Sequence, residues 1–301
     1  MRAIVATRSG PPSVLKLMNV DKPEPKINEM LVEVHASSVT AGDVVLRKMS
    51  RLISKPMGYL FGFKPQKITG TELSGKVVKI GSGIRNFKKG DLIFGTSTGL
   101  VFGGNAEYVC IPENWKMGMV AYKPKNTSFE QAAVIPVGAM TALQILKKGN
   151  IKNGQKVMIN GASGSVGTYA VQIAKYFGAE VTGICSGKNT EMVLSIGADK
   201  VIDYTKEDLK AIKDRYDIVF DTVRKGNSSI LKGLLRKGGV FLTTLTSTNE
   251  RNEDLDLIRD LVEKGHIKPV IDMTYPLEKT AEAHEYVDKG HKRGNIAIKI
   301  R

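Results

Sequence analysis

The first third of the chain alternates apolar and polar positions with a period of two. Leu31-Val32-Glu33-Val34-His35-Ala36 and Ser74-Gly75-Lys76-Val77-Val78-Lys79-Ile80 are rich in branched side chains and bounded by Gly, Pro or Asn. Gly90-Asp91-Leu92-Ile93-Phe94-Gly95 follows shortly after. Alternation of this kind marks strands with one buried face, and short strands between glycine-rich turns predict a small barrel or sandwich. Met1-Arg2-Ala3-Ile4-Val5-Ala6 enters a strand-like pattern at once, so no signal or transit peptide is expected. Lys48–Lys67 is basic and aromatic and is broken by Pro56, Gly58, Gly62 and Pro65; it reads as a loop or short helices covering something.

After about Lys123 the texture changes. Ser128 is placed to cap a helix over Phe129–Val134, and Met140–Leu146 has helical periodicity. Strand, loop and helix then alternate: Lys156–Asn160, Ser165–Phe177, Glu180–Cys185, Glu191–Ile196, Lys200–Ile202, Ile218–Asp221, Ser229–Leu235 and Val240–Thr244. Apolar strands alternating with helices predict a parallel sheet covered on both faces, the doubly wound α/β arrangement. A helix over Leu255–Lys264, an extended Pro269–Met273, a helix over Thr280–Asp288 and an alternating strand over Asn295–Ile300 complete the chain.

Composition narrows the class. The 301 residues are 42% hydrophobic and 25% charged, the balance of a soluble globular chain with a real core. No apolar run approaches the roughly 20 residues of a membrane helix. Two cysteines, Cys110 and Cys185, make neither a disulfide framework nor an all-cysteine zinc site, so a reduced, cytoplasmic protein is expected. The net charge of +15 raises nucleic acid as a partner, but no run of Lys and Arg exceeds two, and many lie beside acids, as in Lys206-Glu207-Asp208-Leu209-Lys210. A solvated Lys-rich surface, mildly attractive to a polyanionic cofactor, is the preferred reading.

The candidate chemistry sits in Asn160-Gly161-Ala162-Ser163-Gly164-Ser165-Val166-Gly167, which follows the apolar strand Val157-Met158-Ile159 and opens an amphipathic helix. Free backbone N–H groups and the helix dipole there make a site for a pyrophosphate. Gly164 would let the backbone approach the ligand and Gly167 would let the helix lie close on the strand. The next strand ends at Cys185 and leads into Ser186-Gly187-Lys188, with no acid before Glu191. An NAD-preferring site would carry a carboxylate there for the ribose 2′-hydroxyl; an ammonium instead suits a 2′-phosphate, and Tyr204 is placed to hydrogen-bond it. The expected cofactor is NADPH.

Taken together, several strings resemble the medium-chain dehydrogenase/reductase superfamily, in its zinc-free quinone oxidoreductase (zeta-crystallin-like) branch. They are Gly70-Thr71-Glu72-Leu73-Ser74-Gly75, Gly81-Ser82-Gly83-Ile84-Arg85-Asn86-Phe87-Lys88-Lys89-Gly90-Asp91, Gly104-Asn105-Ala106-Glu107-Tyr108, Ala133-Val134-Ile135-Pro136, Thr141-Ala142, the glycine loop and Gly197-Ala198-Asp199-Lys200-Val201-Ile202-Asp203-Tyr204. The resemblance implies an α/β protein: a GroES-like β-rich catalytic domain built from both chain ends around a central Rossmann doubly wound parallel-sheet domain. The boundaries it implies are 1–122, 123–265 and 266–301. Zinc alcohol dehydrogenases carry a Cys where this chain has Thr40 and a His at Thr71, so no metal is expected. Without a Lewis acid, alcohol oxidation loses its means of stabilising an alkoxide, whereas hydride transfer to a quinone or α,β-unsaturated carbonyl needs only hydrogen-bond donors for the developing oxyanion.

By the same resemblance Thr40, Asp43 and Arg47 are the catalytic candidates and Thr141 lies near the nicotinamide. Many relatives have Asn at the Thr40 position and Tyr at the Val45 position, so no single proton donor carries over. Relatives also carry an extra helix and strand between Thr248 and Glu253 that commonly pairs across a dimer; here the connection is direct. A homodimer is nevertheless the expected assembly. The competing readings are an NAD(P)-dependent alcohol dehydrogenase-like enzyme and a non-catalytic NADPH-binding or RNA-associated protein. A short-chain dehydrogenase is disfavoured, because its only Tyr-x-x-x-Lys spacing, Tyr275…Lys279, is broken by Pro276.

Overall fold

A computed structural model describes residues 1–49, 67–100, 103–224, 226 and 228–301. Most of the basic Lys48–Lys67 stretch therefore lies outside the described residues. The chain forms two compact units, Met1–Val137 with Glu250–Glu263 and Ile271–Arg301, and Gly138–Asn249 with Lys264–Val270. Among the described residues no helix is long and apolar enough to cross a membrane.

The first unit is built on the alternating strands. β1 (Arg2–Ala6) and β2 (Leu15–Asn19) form an antiparallel pair. The larger sheet comprises β3 (Glu29–Ser38), β4 (Glu72–Ile80), β5 (Leu92–Thr96), β6 (Tyr108–Pro112), β7 (Val120–Tyr122), β13 (Ile271–Pro276) and β14 (Asn295–Lys299). Its order is β13-β14-β3-β4-β5-β7, with β6 also paired to β3. The inward positions of the alternation, Val32, Val34, Leu73, Val77, Ile93, Val109, Ile111, Ile296 and Ile298, fuse into one core. This is the GroES-like β-rich part, closed by the chain's last strand. Helix α1 (Ala41–Lys48) follows β3, and α2 (Phe129–Ala133) starts at Ser128, whose hydroxyl accepts from the Gln131 N–H in a capping box.

Helix α3 (Pro136–Lys148) leads into the second unit. Strands β8 (Lys156–Asn160), β9 (Glu180–Cys185), β10 (Lys200–Asp203), β11 (Tyr216–Asp221) and β12 (Leu235–Thr243) form an all-parallel sheet in the order β10-β9-β8-β11-β12. Counted from β8 this is 3-2-1-4-5, so the chain reverses its direction of sheet growth between β8 and β11, where dinucleotides bind in such folds. Helices α4 (Ser165–Tyr176), α5 (Thr190–Ser195) and α6 (Ser228–Gly233) connect the strands. The expected helix over Ser229–Leu235 ends at Gly233, and Leu235 already pairs with Tyr216; the β11–β12 register then jumps to Ile218 and Val240 across the Arg236–Gly239 irregularity.

Helix α7 (Asn252–Glu263) follows the parallel strands in sequence yet groups with the first unit. The Asn252 side-chain oxygen accepts from the Val120 N–H at 2.9 Å, and Glu263 accepts from the Lys125 N–H at 2.9 Å. Helix α8 (Thr280–Asp288) packs against α1 and β13.

Candidate dinucleotide site and catalytic residues

The glycine loop is a strand-to-helix turn whose geometry leaves no room for side chains at two positions. Gly161 has φ +79°, and a Cβ there would lie 2.4 Å from Val223 Cγ2. A Cβ on Gly167 would come within 2.1 Å of the Gly161 carbonyl oxygen, so only glycine lets α4 start this close to β8. The N–H groups of Gly161 and Ala162 both donate to the Ile184 carbonyl at 3.0 Å, which fixes the loop to β9. Ala162 is buried, whereas Ser163, Gly164, Ser165 and Val166 are partly exposed. Gly164 is the N-cap of α4 and supplies no side-chain cap, so the exposed turn offers main-chain donors and the positive end of the helix dipole to an anion. Beyond the loop, Asn160 donates to Asp221 at 2.9 Å, and Asp221 in turn accepts from the N–H groups of Val223 and Arg224. The end of β11 is thereby tied to the end of β8.

Ser186, Lys188 and Tyr204 come together where β9 and β10 end. Cys185 and Asp203 are paired in the parallel register, and the Tyr204 N–H donates to the Cys185 carbonyl at 3.2 Å. Lys188 is exposed and makes no ion pair with any described residue; Tyr204 is exposed as well. Thr141 is half-buried on α3.

Two further residues shape this end of the sheet. Asn189 is buried and donates to Ser163 Oγ at 3.1 Å and Ser186 Oγ at 3.2 Å, joining the glycine loop to the β9 turn. Asp203 brings a carboxylate against Gly187, where a Cβ would lie 2.3 Å from Asp203 Oδ2. The run Ser186-Gly187-Lys188 contains no acid, but in space an acid does stand beside it, delivered by the neighbouring strand. Hydrogen bonds from Thr205, with burial opposing them, hold that carboxyl below the usual aspartate range, so it is ionised at neutral pH. The signal was the level ending of two parallel strands, which only the register reveals.

In the first unit, Thr40 and Asp43 form the capping box of α1. The Asp43 N–H donates to Thr40 Oγ1 at 3.1 Å, while the Thr40 N–H and hydroxyl donate to Asp43 Oδ2 at 2.8 and 2.6 Å. Thr71 Oγ1 donates to the same oxygen at 3.2 Å. Asp43 is 4% exposed, and burial raises its pKa against the pull of these hydrogen bonds. Arg47 is turned the other way: its buried guanidinium donates to the Gly10 carbonyl at 3.0 Å and pairs with Asp288 on α8 at 2.6 Å.

Glu72 follows Thr71 and is a stronger outlier that sequence reading passed over. It accepts from the Ser38 hydroxyl and, at 2.6 Å, from the Val137 N–H, while burial pushes its pKa up to about 8. Thr96, paired with Glu72 across β4 and β5, donates to Glu250, whose pKa burial raises to about 7. Lys292 is pushed down to about 8 by burial, with Glu72 and Asp272 opposing. The first unit thus holds buried titratable side chains with shifted pKa values around Glu72, which interacts electrostatically with Asp43, Glu250 and Lys292.

Comparison with known proteins identifies the family. Residues 26–124 match the alcohol dehydrogenase GroES-like domain, and residues 196–248 and 234–298 match the zinc-binding dehydrogenase family. A 2-methylene-furan-3-one reductase of Solanum lycopersicum is 31% identical over 99% of this chain and 79% of its own. The chain belongs to the medium-chain dehydrogenase/reductase superfamily. A chloroplastic NADPH-dependent alkenal/one oxidoreductase of Arabidopsis thaliana is 29% identical over the same shares of both chains. The solved quinone oxidoreductase of Coxiella burnetii superimposes with a TM-score of 0.84 at 30% identity, over 100% of this chain and 99% of that one. The family resemblance implies Cys and His at the Thr40 and Thr71 positions of the zinc enzymes. Both hydroxyls here are spent on Asp43, and neutral hydroxyls are poor zinc ligands, so this donor set does not fit a catalytic zinc.

Proposed function

We propose that this protein is a zinc-independent, NADPH-dependent oxidoreductase that transfers hydride to a quinone or an α,β-unsaturated carbonyl. The observation that carries the reading is that Thr40 and Thr71, which the resemblance matches to zinc-ligand positions, are hydroxyls that both donate to Asp43. Alcohol oxidation needs a Lewis acid to stabilise an alkoxide, whereas an electron-poor acceptor takes hydride without one. The relatives named as alkenal/one and quinone oxidoreductases share the acceptor chemistry.

The residues fit the cofactor. The exposed turn at Ser163–Val166 suits a pyrophosphate, and Gly161 and Gly167 hold its backbone in place. Ser186, Lys188 and Tyr204 surround the place where β9 ends, with an unpaired ammonium available to a 2′-phosphate, and the family resemblance assigns Thr141 to the nicotinamide. Bound NADPH supplies the hydride; the chain supplies orientation and donors. Thr40 and Thr71 are held by Asp43 as fixed hydroxyls in the acceptor half of the enzyme, and Arg47 serves the reaction by holding α1 against α8.

We place the protein in a reducing compartment, the cytoplasm by default, because Cys110 and Cys185 are both free thiols. We propose a homodimer on the general prevalence of two-fold assemblies and on the single neighbour of β12 in its sheet. Light scattering that gives the mass of a monomer overturns the dimer.

The function is tested with NADPH and a panel of quinones, enones and secondary alcohols, followed at the cofactor's absorbance. Turnover with the first two classes is expected. Absence of acceptor-dependent oxidation, with NADPH still bound, would identify a binding protein instead of an enzyme.

A further inference from the structure

We propose that Asp203 is a positioning residue for cofactor choice: it staples the turn that carries Lys188 to the turn that carries Tyr204, and so raises the preference for a dinucleotide bearing a 2′-phosphate. The inference rests on the NADPH reading above.

The arrangement follows from register. Because Cys185 and Asp203 are level in the parallel pair, the turns after β9 and β10 leave the sheet side by side. The Asp203 carboxylate then touches both. Its Oδ1 accepts from the Thr205 N–H at 3.0 Å and the Thr205 hydroxyl at 2.7 Å, in the turn of Tyr204. Its other oxygen, Oδ2, lies against the Gly187 backbone, beside Lys188. The contact is close enough that Gly187 admits no Cβ, with Oδ2 only 2.3 Å from where one would stand. The Asp203 main chain is held in turn, its N–H donating to Glu207 Oε1 at 3.0 Å and its carbonyl accepting from the Lys206 and Glu207 N–H groups. On the far side of the Lys188 turn, Asn189 bonds to Ser186 and Ser163. Lys188 therefore projects from a turn clamped at both ends.

The charged side chains that act on Asp203 are Lys206 and Glu207. As a bare negative charge, Asp203 would repel a 2′-phosphate, and removing it would tighten NADPH binding. As a staple it presents Lys188 and Tyr204 together, and removing it would loosen NADPH binding. The two roles differ in sign, so one measurement separates them.

Isothermal titration of the purified full chain with NADP⁺ and with NAD⁺ provides the test. Asp203→Ala is expected to weaken NADP⁺ by about tenfold, the scale of a displaced charge-assisted bond, and NAD⁺ by less than about twofold. Thr205→Val, which removes a single staple contact, moves NADP⁺ in the same direction by less, and keeps the test decisive should Asp203→Ala unfold. In a Lys188→Ala background the Asp203→Ala effect on NADP⁺ should largely vanish, since coupled residues are not additive. Unchanged or tighter NADP⁺ binding in Asp203→Ala, or equal losses for both dinucleotides, overturns the proposal. If the unaltered protein binds neither dinucleotide, the NADPH reading itself fails, which is a distinct result.

Discussion

At the scale of single residues, the cofactor half of the protein depends on one charge and on one missing side chain. Lys188 is exposed and unpaired with any described residue, so its ammonium is available to a 2′-phosphate. Lys188→Ala is expected to weaken NADPH binding about ten- to a hundredfold, or roughly 1.5–3 kcal/mol, and to leave NADH nearly unchanged. Equal affinity of the unaltered protein for NADH and NADPH, measured by titration, would defeat the assignment. Gly167 has the opposite character, because it is needed for what it lacks. A methyl group 2.1 Å from the Gly161 carbonyl meets backbone that cannot swing aside. Gly167→Ala should therefore displace the glycine loop, cost about 1–3 kcal/mol as an overpacked site, and impair binding of both dinucleotides. A thermal melt together with the two titrations separates this uniform loss from the selective loss in Lys188→Ala.

At the scale of elements, the contact between α1 and α8 holds an unusual histidine. Arg47 and Lys48 at the end of α1 both reach Asp288, at 2.6 Å each, while His284, one turn before Asp288, is fully buried. Neither ring nitrogen of His284 has a hydrogen-bond partner among the described residues. Burial first, and then the Arg47 charge, lower its pKa from 6.5 to about 4, with Asp288 opposing. The folded protein therefore keeps this imidazole neutral, whereas the unfolded chain protonates it below about pH 6.5. Its contribution to stability is complete above that pH and declines as the pH falls to about 4, for a total near ~3 kcal/mol. His284→Phe should flatten the acid side of the stability profile. Urea midpoints for both proteins across that window check it, and parallel slopes would refute the burial of a neutral imidazole. Thr40 belongs to the same element at its other end, where the capping box that starts α1 also fixes its hydroxyl on Asp43.

At the scale of the whole molecule, the proposed zinc-independent acceptor chemistry is tested by removing metal. Hydride transfer to quinones or enones should proceed undiminished after dialysis against EDTA, and secondary alcohols should be poor substrates in reverse. Steady alcohol oxidation abolished by EDTA and restored by zinc would falsify the zinc-independent reading. Much of this architecture was legible along the chain. Period-two alternation at Leu31–Ala36 and Ser74–Ile80 marks strands that are β3 and β4, and the strand–loop–helix signature at Lys156–Tyr176 is realised as β8 and α4. Less legible were the short or irregular elements. β7 has only three residues, too few for a period, and the early start of β12 hides behind the Arg236–Gly239 irregularity. Glu72 was quoted in a motif, but nothing in its neighbours along the chain announces a carboxyl held near neutrality; that follows from burial within the sheet.

Local chemistry is written along the chain: which strands have one wet face, which loop can admit a phosphate, and which turn after a strand carries a lysine and no acid. These are properties of side-chain type and spacing, and they survive any arrangement of the elements. Only the tertiary structure decided what those groups meet. It brought Asp203 from the next strand to Gly187, a place where reading along the chain finds no acid, because parallel pairing aligns strand ends that lie 18 residues apart in number. It turned Thr40 and Thr71 onto one oxygen of Asp43, and Arg47 away toward Asp288. It also placed α7 with the first unit, although the helix follows the parallel strands in sequence. Charge, hydrogen bonding and burial act through distance in space, and a distance in space between remote residues exists only once the chain has folded.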